Sequence, residues 1–179
     1  MPKLIIRSDD WDFRMPPEFY IDVHEKFIKA GLIETACLQF TQHDKLVNFK
    51  PELINYMNTA PNWDFQLHCW CHDKYSEYVD FNYIVRNLAA AIFFCQKLFN
   101  HTPTIWYPPW NETTPDMEKA AEIVGLKIDN ESNDIQKFIR EVKAGTFKGH
   151  SVYFHSWKWQ EMESFEEMIK LIKEIESAT

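Results

Sequence analysis

Glycine is scarce, at four in 179 residues, and neither of the phosphate-cradling patterns GxGxxG and GxxxxGK[ST] occurs. Positive charge is also short. Nineteen Lys and Arg stand against 27 Asp and Glu, a net charge of −8, which argues against a nucleic-acid partner because neutralising a phosphate backbone requires a basic face. No apolar run is long enough for a signal peptide or a membrane span, so the reading is an intracellular, cytoplasmic chain with no membrane partner. Disulfide spacing is missing too. Cys37, Cys69, Cys71 and Cys95 fall inside expected elements, and reduced thiols are the default.

Aromatic residues are abundant by contrast, with seven Trp and fourteen Phe. The length fits a single domain, 1–179, able to bury roughly 70% of its unfolded surface without a disulfide or structural metal. Six strands are expected: Lys3 to Asp9, Glu34 to Thr41, Phe65 to Trp70, Thr104 to Tyr107, Leu126 to Asp129 and Ser151 to Phe154. Helices fill the intervals. One opens at Pro16-Pro17 and stops at Gly31, and one runs from Pro51 to Thr59 or Ala60. Asp80 to Phe99 is the longest, and its apolar run suggests burial on most sides. Thr114 caps a helix with Pro115 at its first position, closed by Gly125. Ile135 to Ala144 ends at Gly145, and Ser164 to Glu167 forms a capping box for the last helix. Alternating strands and helices with short connections specify a parallel sheet covered by helices, either a closed or partly closed barrel or an open doubly wound sheet.

In such folds function gathers at the C-terminal ends of strands, where the polar candidates fall. Asp9 and Asp10 follow the first strand, His68 and His72 the third, Tyr107 to Asn111 the fourth, and His155 the sixth. The four-residue spacing of His68 and His72 lets both reach one ion in a strand or a helical turn, with Cys69 and Cys71 pointing elsewhere. One carboxylate and two imidazoles leave coordination positions open for water and substrate, as catalytic sites require. A second carboxylate can take a proton and a separate histidine can supply one. Which of the adjacent aspartates binds the ion stays open, because neighbouring side chains on a regular strand point to opposite faces.

The order Ser8-Asp9-Asp10, His68-x-x-x-His72, Tyr107-Pro108-Pro109-Trp110 and Phe154-His155 resembles the motif series of NodB-type polysaccharide deacetylases, carbohydrate esterase family 4. The resemblance implies an α/β fold, a distorted or incomplete (β/α) barrel of about six to seven parallel strands. It also implies a metal-dependent hydrolase of amide bonds other than peptide bonds, removing acetyl groups from an N-acetylated or O-acetylated carbohydrate. By position it assigns Asp9 as catalytic base, His155 as general acid, Asp10, His68 and His72 as metal ligands, and Tyr107, Pro108, Trp110 and Trp157 as substrate contacts. The cofactor implied is one divalent ion of the zinc class, with cobalt, nickel, manganese or iron as alternates.

The sequence departs from that pattern at several points. Trp11 replaces the glycine after the aspartates, Cys69 a hydroxyl residue, and Ser156 an aspartate. Tyr107 stands where an arginine orients the base, with no arginine nearby in sequence. The aspartate that braces the acid histidine matches nothing better than Asp129 or Asp134. Trp11, Trp70, Trp106, Trp110, Trp157 and Trp159 flank the motifs and could stack on sugar rings or simply fill the barrel top. Glu161, Glu163, Glu166 and Glu167 read as a solvated face, and His24, His43, His101 and His150 as ordinary polar residues. Two other function classes stay open: a deacetylase-like barrel that binds a sugar without turnover, and a structural site built from both histidines with Cys69 and Cys71.

Overall fold

The computed structural model describes residues 4–11, 13–42, 45–47, 49–77 and 80–177. Lys3, expected to begin the first strand, and His43 lie outside them. The strands are β1 (Ile5–Trp11), β2 (Glu34–Gln42), β3 (Lys45–Leu46), β4 (Trp63–Cys71), β5 (Ile105–Trp106), β6 (Lys127–Ile128), β7 (Asn133–Asp134) and β8 (Ser151–Phe154). The helices are α1 (Pro17–Ala30), α2 (Pro51–Thr59), α3 (Phe81–Phe99), α4 (Pro115–Ile123), α5 (Ile135–Lys143), α6 (Trp159–Glu163) and α7 (Phe165–Ser177).

Seven strands pair in the order β6-β5-β4-β2-β1-β8-β7, every pairing parallel, and β3 lies antiparallel on β2. They curl into a half-barrel, the distorted (β/α) architecture expected. The seam falls between β6 and β7, which follow each other in the chain.

The helices begin and end where proline, aspartate and glycine put them. Pro17 opens α1, and Gly31 closes it at φ 72°, its N–H on Ile28 C=O while Leu32 N–H reaches Phe27 C=O. Asp80 caps α3 by accepting from Asn82 and Tyr83 N–H, and Thr114 caps α4 by accepting from Met117 N–H. The expectation that α3 is buried on most sides needs correction: Ile84, Leu88, Ala91, Cys95 and Phe99 form one inward stripe, and Phe93 is exposed. Ser164 Oγ, expected in a capping box, accepts from Gln136 Nε2 at 2.6 Å. None of the helices among the described residues is long and apolar enough to cross a membrane.

Two hydrophobic clusters cover the sheet. One gathers Leu38, Phe40, Leu67, Leu88 and Trp106 around β2, β4 and β5; the other gathers Ile6, Phe27, Phe138, Phe154 and Phe165 around β1 and β8. Because Ile6 packs under α1, α5 and α7, Arg7 and Asp9 belong to the opposite face of β1, inside the barrel.

Candidate metal centre

Two bulges build the centre. On the β1/β2 ladder Ser8 pairs with Ala36 but Trp11 with Leu38, so β1 carries one extra residue there, and Asp10 adopts φ 57°. On the β2/β4 ladder Leu67 pairs with Leu38 but Cys69 with Gln39, so β4 carries its extra residue at His68. Such insertions re-aim side chains. Here they let both Asp9 and Asp10 face one cavity of about 870 Å³, which also takes in His68, His72 and His155. The adjacent aspartates, ambiguous on a regular strand, are resolved by the bulge.

Asp10 Oδ1 lies 3.0 Å from His68 Nε2 and 3.1 Å from His72 Nε2. Three donor atoms from these residues lie within 4.8 Å of one another. Asp10 Oδ1 is buried yet receives no aligned hydrogen bond from either ring. His68 Nδ1 sits 2.8 Å from Tyr107 C=O; a carbonyl can only accept, so Nδ1 holds a proton, and in the neutral ring Nε2 would present a lone pair to the carboxylate. Lone pair facing carboxylate is repulsive unless positive charge lies between. Burial works against charge on the His68 imidazole, yet Asp10 and Asp9 outweigh it and hold its pKa above the ordinary value. Burial likewise opposes ionisation of Asp10, but His68 and His72 hold its carboxyl far below the usual range. The three residues therefore fit a divalent cation, with the Nδ1–H contact orienting the inner ligand.

Asp9 is held by a residue the motif reading passed over. Arg7, on the same face of β1, puts Nη2 2.6 Å from Asp9 Oδ2 and Nε 3.2 Å from Oδ1. Burial opposes both charges, but each partner outweighs it, and Arg7 keeps the Asp9 carboxyl below its ordinary value. A two-residue spacing on a strand is the signal that could have found this pair.

His155 is anchored similarly. Its Nδ1 lies 3.0 Å from Glu161 Oε2, whose carboxylate also accepts from the His155 backbone N–H at 2.6 Å, leaving Nε2 turned toward Asp10 Oδ2 at 3.8 Å. Glu161 is therefore not on a solvated face. Burial would raise its pKa, but His155 and Lys158 lower it. The brace comes from neither aspartate suggested by sequence: Asp129 pairs with His150 at 3.0 Å, and Asp134 caps α5 by accepting from Lys137 N–H. Spacing gave no signal for Glu161, since the turn and short helix α6 that return it to His155 are invisible as periodicity.

Among the expected substrate contacts, Pro108, Trp110 and Trp157 line the cavity. Trp110 is 60% exposed with its ring 5.3 Å from that of His72. Tyr107 is placed differently: fully buried, it lies beneath the cavity with its ring under Arg7. Trp11 and Trp106 are core residues, Trp70 packs on Phe40 and Phe94, and Trp159 is exposed and bonded to Glu163. Asp10, Trp110 and Asn111, all in the cavity wall, are three of the six non-glycine residues with positive φ among those described, which concentrates backbone strain at the site. Neither cysteine sulfur joins the donor cluster among the described residues: Cys69 is core, and Cys71 Sγ lies 2.7 Å from Asp73 Oδ2. His24, expected to be an ordinary polar residue, is buried, stacked on Trp63 and paired with Glu34 at 2.8 Å.

No protein-family model matches the chain, and no curated protein matches it by sequence. Solved structures do. A family 4 carbohydrate esterase from Streptomyces lividans, in complex with acetate, superposes with TM-score 0.75 at 15% identity over 94% of this chain and 86% of that one. An acetyl xylan esterase of family 4 from Clostridium thermocellum, in complex with a cobalt ion, gives 0.72 at 16% over 98% and 84%. A family pseudoenzyme from Bacillus anthracis gives 0.74 at 15%, with this chain spanning 96% of its own length but 61% of that protein's. At such identities the likeness is one of fold, and the fold of this chain is that of the family 4 carbohydrate esterases, the NodB-type deacetylases.

Proposed function

We propose that this chain is a metal-dependent hydrolase that removes acetyl groups from an N-acetylated or O-acetylated carbohydrate. The observation that carries this reading is the approach of His68 and His72 to one carboxylate oxygen of Asp10, with Asp9 and His155 in the same cavity. Asp10, His68 and His72 would hold one divalent ion of the zinc class, which when bound polarises a carbonyl and acidifies a water. Asp9, kept anionic by Arg7, accepts the proton of the attacking water as general base. His155, with Nδ1 on Glu161, delivers a proton from Nε2 to the departing nitrogen or oxygen. Trp110 and Trp157 offer flat apolar faces to the sugar, and Pro108 shapes the wall between.

Acetate release from N-acetylated chito-oligosaccharides and from acetylated xylan tests this reading. Release that stops on chelation and returns with added zinc is expected; undiminished turnover by metal-free protein would overturn it. A second reading, sugar binding without turnover, draws on Tyr107 standing in place of an arginine and on a pseudoenzyme among proteins of this fold. Calorimetric binding of the same oligosaccharides with no acetate released would select it.

A further inference from the structure

Within the proposed hydrolase reading, we infer that Arg7 is the positioning residue for Asp9, doing from β1 what the family resemblance assigns to an arginine at position 107. Its guanidinium grips the carboxylate at two points, Nε to Oδ1 and Nη2 to Oδ2, and Nη2 also donates to Asn111 Oδ1 at 3.2 Å in the cavity wall. Two-point bonding fixes the plane of a carboxylate as well as its distance. The backbone beneath is fixed equally well, because Arg7 sits in register with Thr35 on one side and Tyr153 on the other.

Tyr107 is the complement of this arrangement. The Arg7 guanidinium lies 4.3 Å from the Tyr107 ring centroid and 5.3 Å from that of Tyr153, a cation between two aromatic faces. A second guanidinium at position 107 would meet the first, whereas a phenol ring supports it. The absence of an arginine after β5 and the presence of one in β1 are thus a single exchange. Arg7 is fully buried and absent from the cavity wall, so it orients the base without touching substrate, and its loss should lower kcat and spare KM.

The test compares wild type with Arg7→Met, Arg7→Lys and the relocation variant Arg7→Met/Tyr107→Arg, measuring kcat, KM, zinc stoichiometry and crystal structures. Arg7→Met is expected to lower kcat about 10- to 100-fold, the range for losing a hydrogen-bonded supporting partner, with KM and zinc content unchanged and the Asp9 carboxylate turned from its place. Arg7→Lys, which keeps the charge but offers one point of attachment, should fall between and serves if the methionine variant does not fold. Relocating the guanidinium should recover at least about tenfold of the loss, because the fork again reaches the carboxylate. Wild-type kcat in both single variants, or an Asp9 carboxylate that keeps its position without the fork, overturns the assignment. A wild-type protein that binds sugar and zinc yet releases no acetate sinks the hydrolase reading instead, and the wild-type and variant crystal structures then decide the positional role alone.

Discussion

Replacing Glu161 by glutamine keeps the shape of the His155 brace and removes its charge. Glu161 Oε2 accepts from the His155 backbone N–H at 2.6 Å and lies 3.0 Å from Nδ1, while Oε1 lies 3.2 Å from Lys158 Nζ. The side chains of Glu161 and His155 are only 16% and 14% exposed, so solvent screens the contact little. Charge-assisted bonds of this kind contribute about 1.5–3 kcal/mol, and glutamine retains one acceptor, so a loss of about 1–2 kcal/mol is expected. For a chain of this size that lowers Tm by roughly 2–8 °C. The sign of the pH dependence follows from the lowered carboxyl pKa of Glu161. Its contribution is fully present above the unfolded carboxylate value of about 4.3 and is lost as pH falls through the lower folded value. Thermal melts of the two proteins should therefore run parallel from about pH 8 to pH 5 and converge below about pH 4. Acetate release by the variant should fall about 10- to 100-fold, as for loss of a hydrogen-bonded support. Equal melting temperatures across the range together with undiminished acetate release would refute the brace.

Saturating zinc, at about 100 times its Kd, should raise Tm by roughly 5–11 °C, from about 2.7 kcal/mol of linkage; differential scanning fluorimetry of wild type and His68→Ala should show that rise only in the former. Asp9→Asn should bind zinc with unchanged stoichiometry and release no acetate. It should also unfold at lower denaturant, because Arg7 loses its counter-charge at a cost of about 3 kcal/mol; a midpoint equal to wild type would contradict the burial argument. Trp110→Gly removes a 60% exposed ring and relieves φ 64°. It should leave Tm within about 2 °C while raising the sugar KM about 2- to 10-fold, the scale of one lost stacking contact, and an unchanged KM would remove Trp110 from the sugar site.

Much of the fold was legible because proline and glycine punctuate it: Pro17, Pro51, Pro115, Gly31 and Gly145 mark helix ends by backbone geometry that other residues adopt poorly. Strands β3 and β7 were not legible: Lys45-Leu46 and Asn133-Asp134 lie in polar stretches, without the apolar residues that marked the equally short β5 and β6. Among site residues, His68 and His72 could be paired from spacing alone. The aspartates could not, because alternation along a strand predicts opposite faces and an inserted residue overrides it. Arg7 was hidden inside an apolar run that reads as core, although its two-residue offset from Asp9 was visible. Glu161 was hidden by composition: in a segment holding Glu163, Glu166 and Glu167, nothing local marks the one that folds inward.

The flanking bulges on either side of β2 mean that the chemistry is written in alignment as much as in residue identity. Excising a single position from β1 would restore even alternation, swing one acid out of the ring of donors, and leave the apolar layers on both sides almost untouched. Under the proposed function, loss of catalysis and loss of architecture are therefore separable events in this scaffold, so one codon could remove the proposed reaction and leave the fold standing.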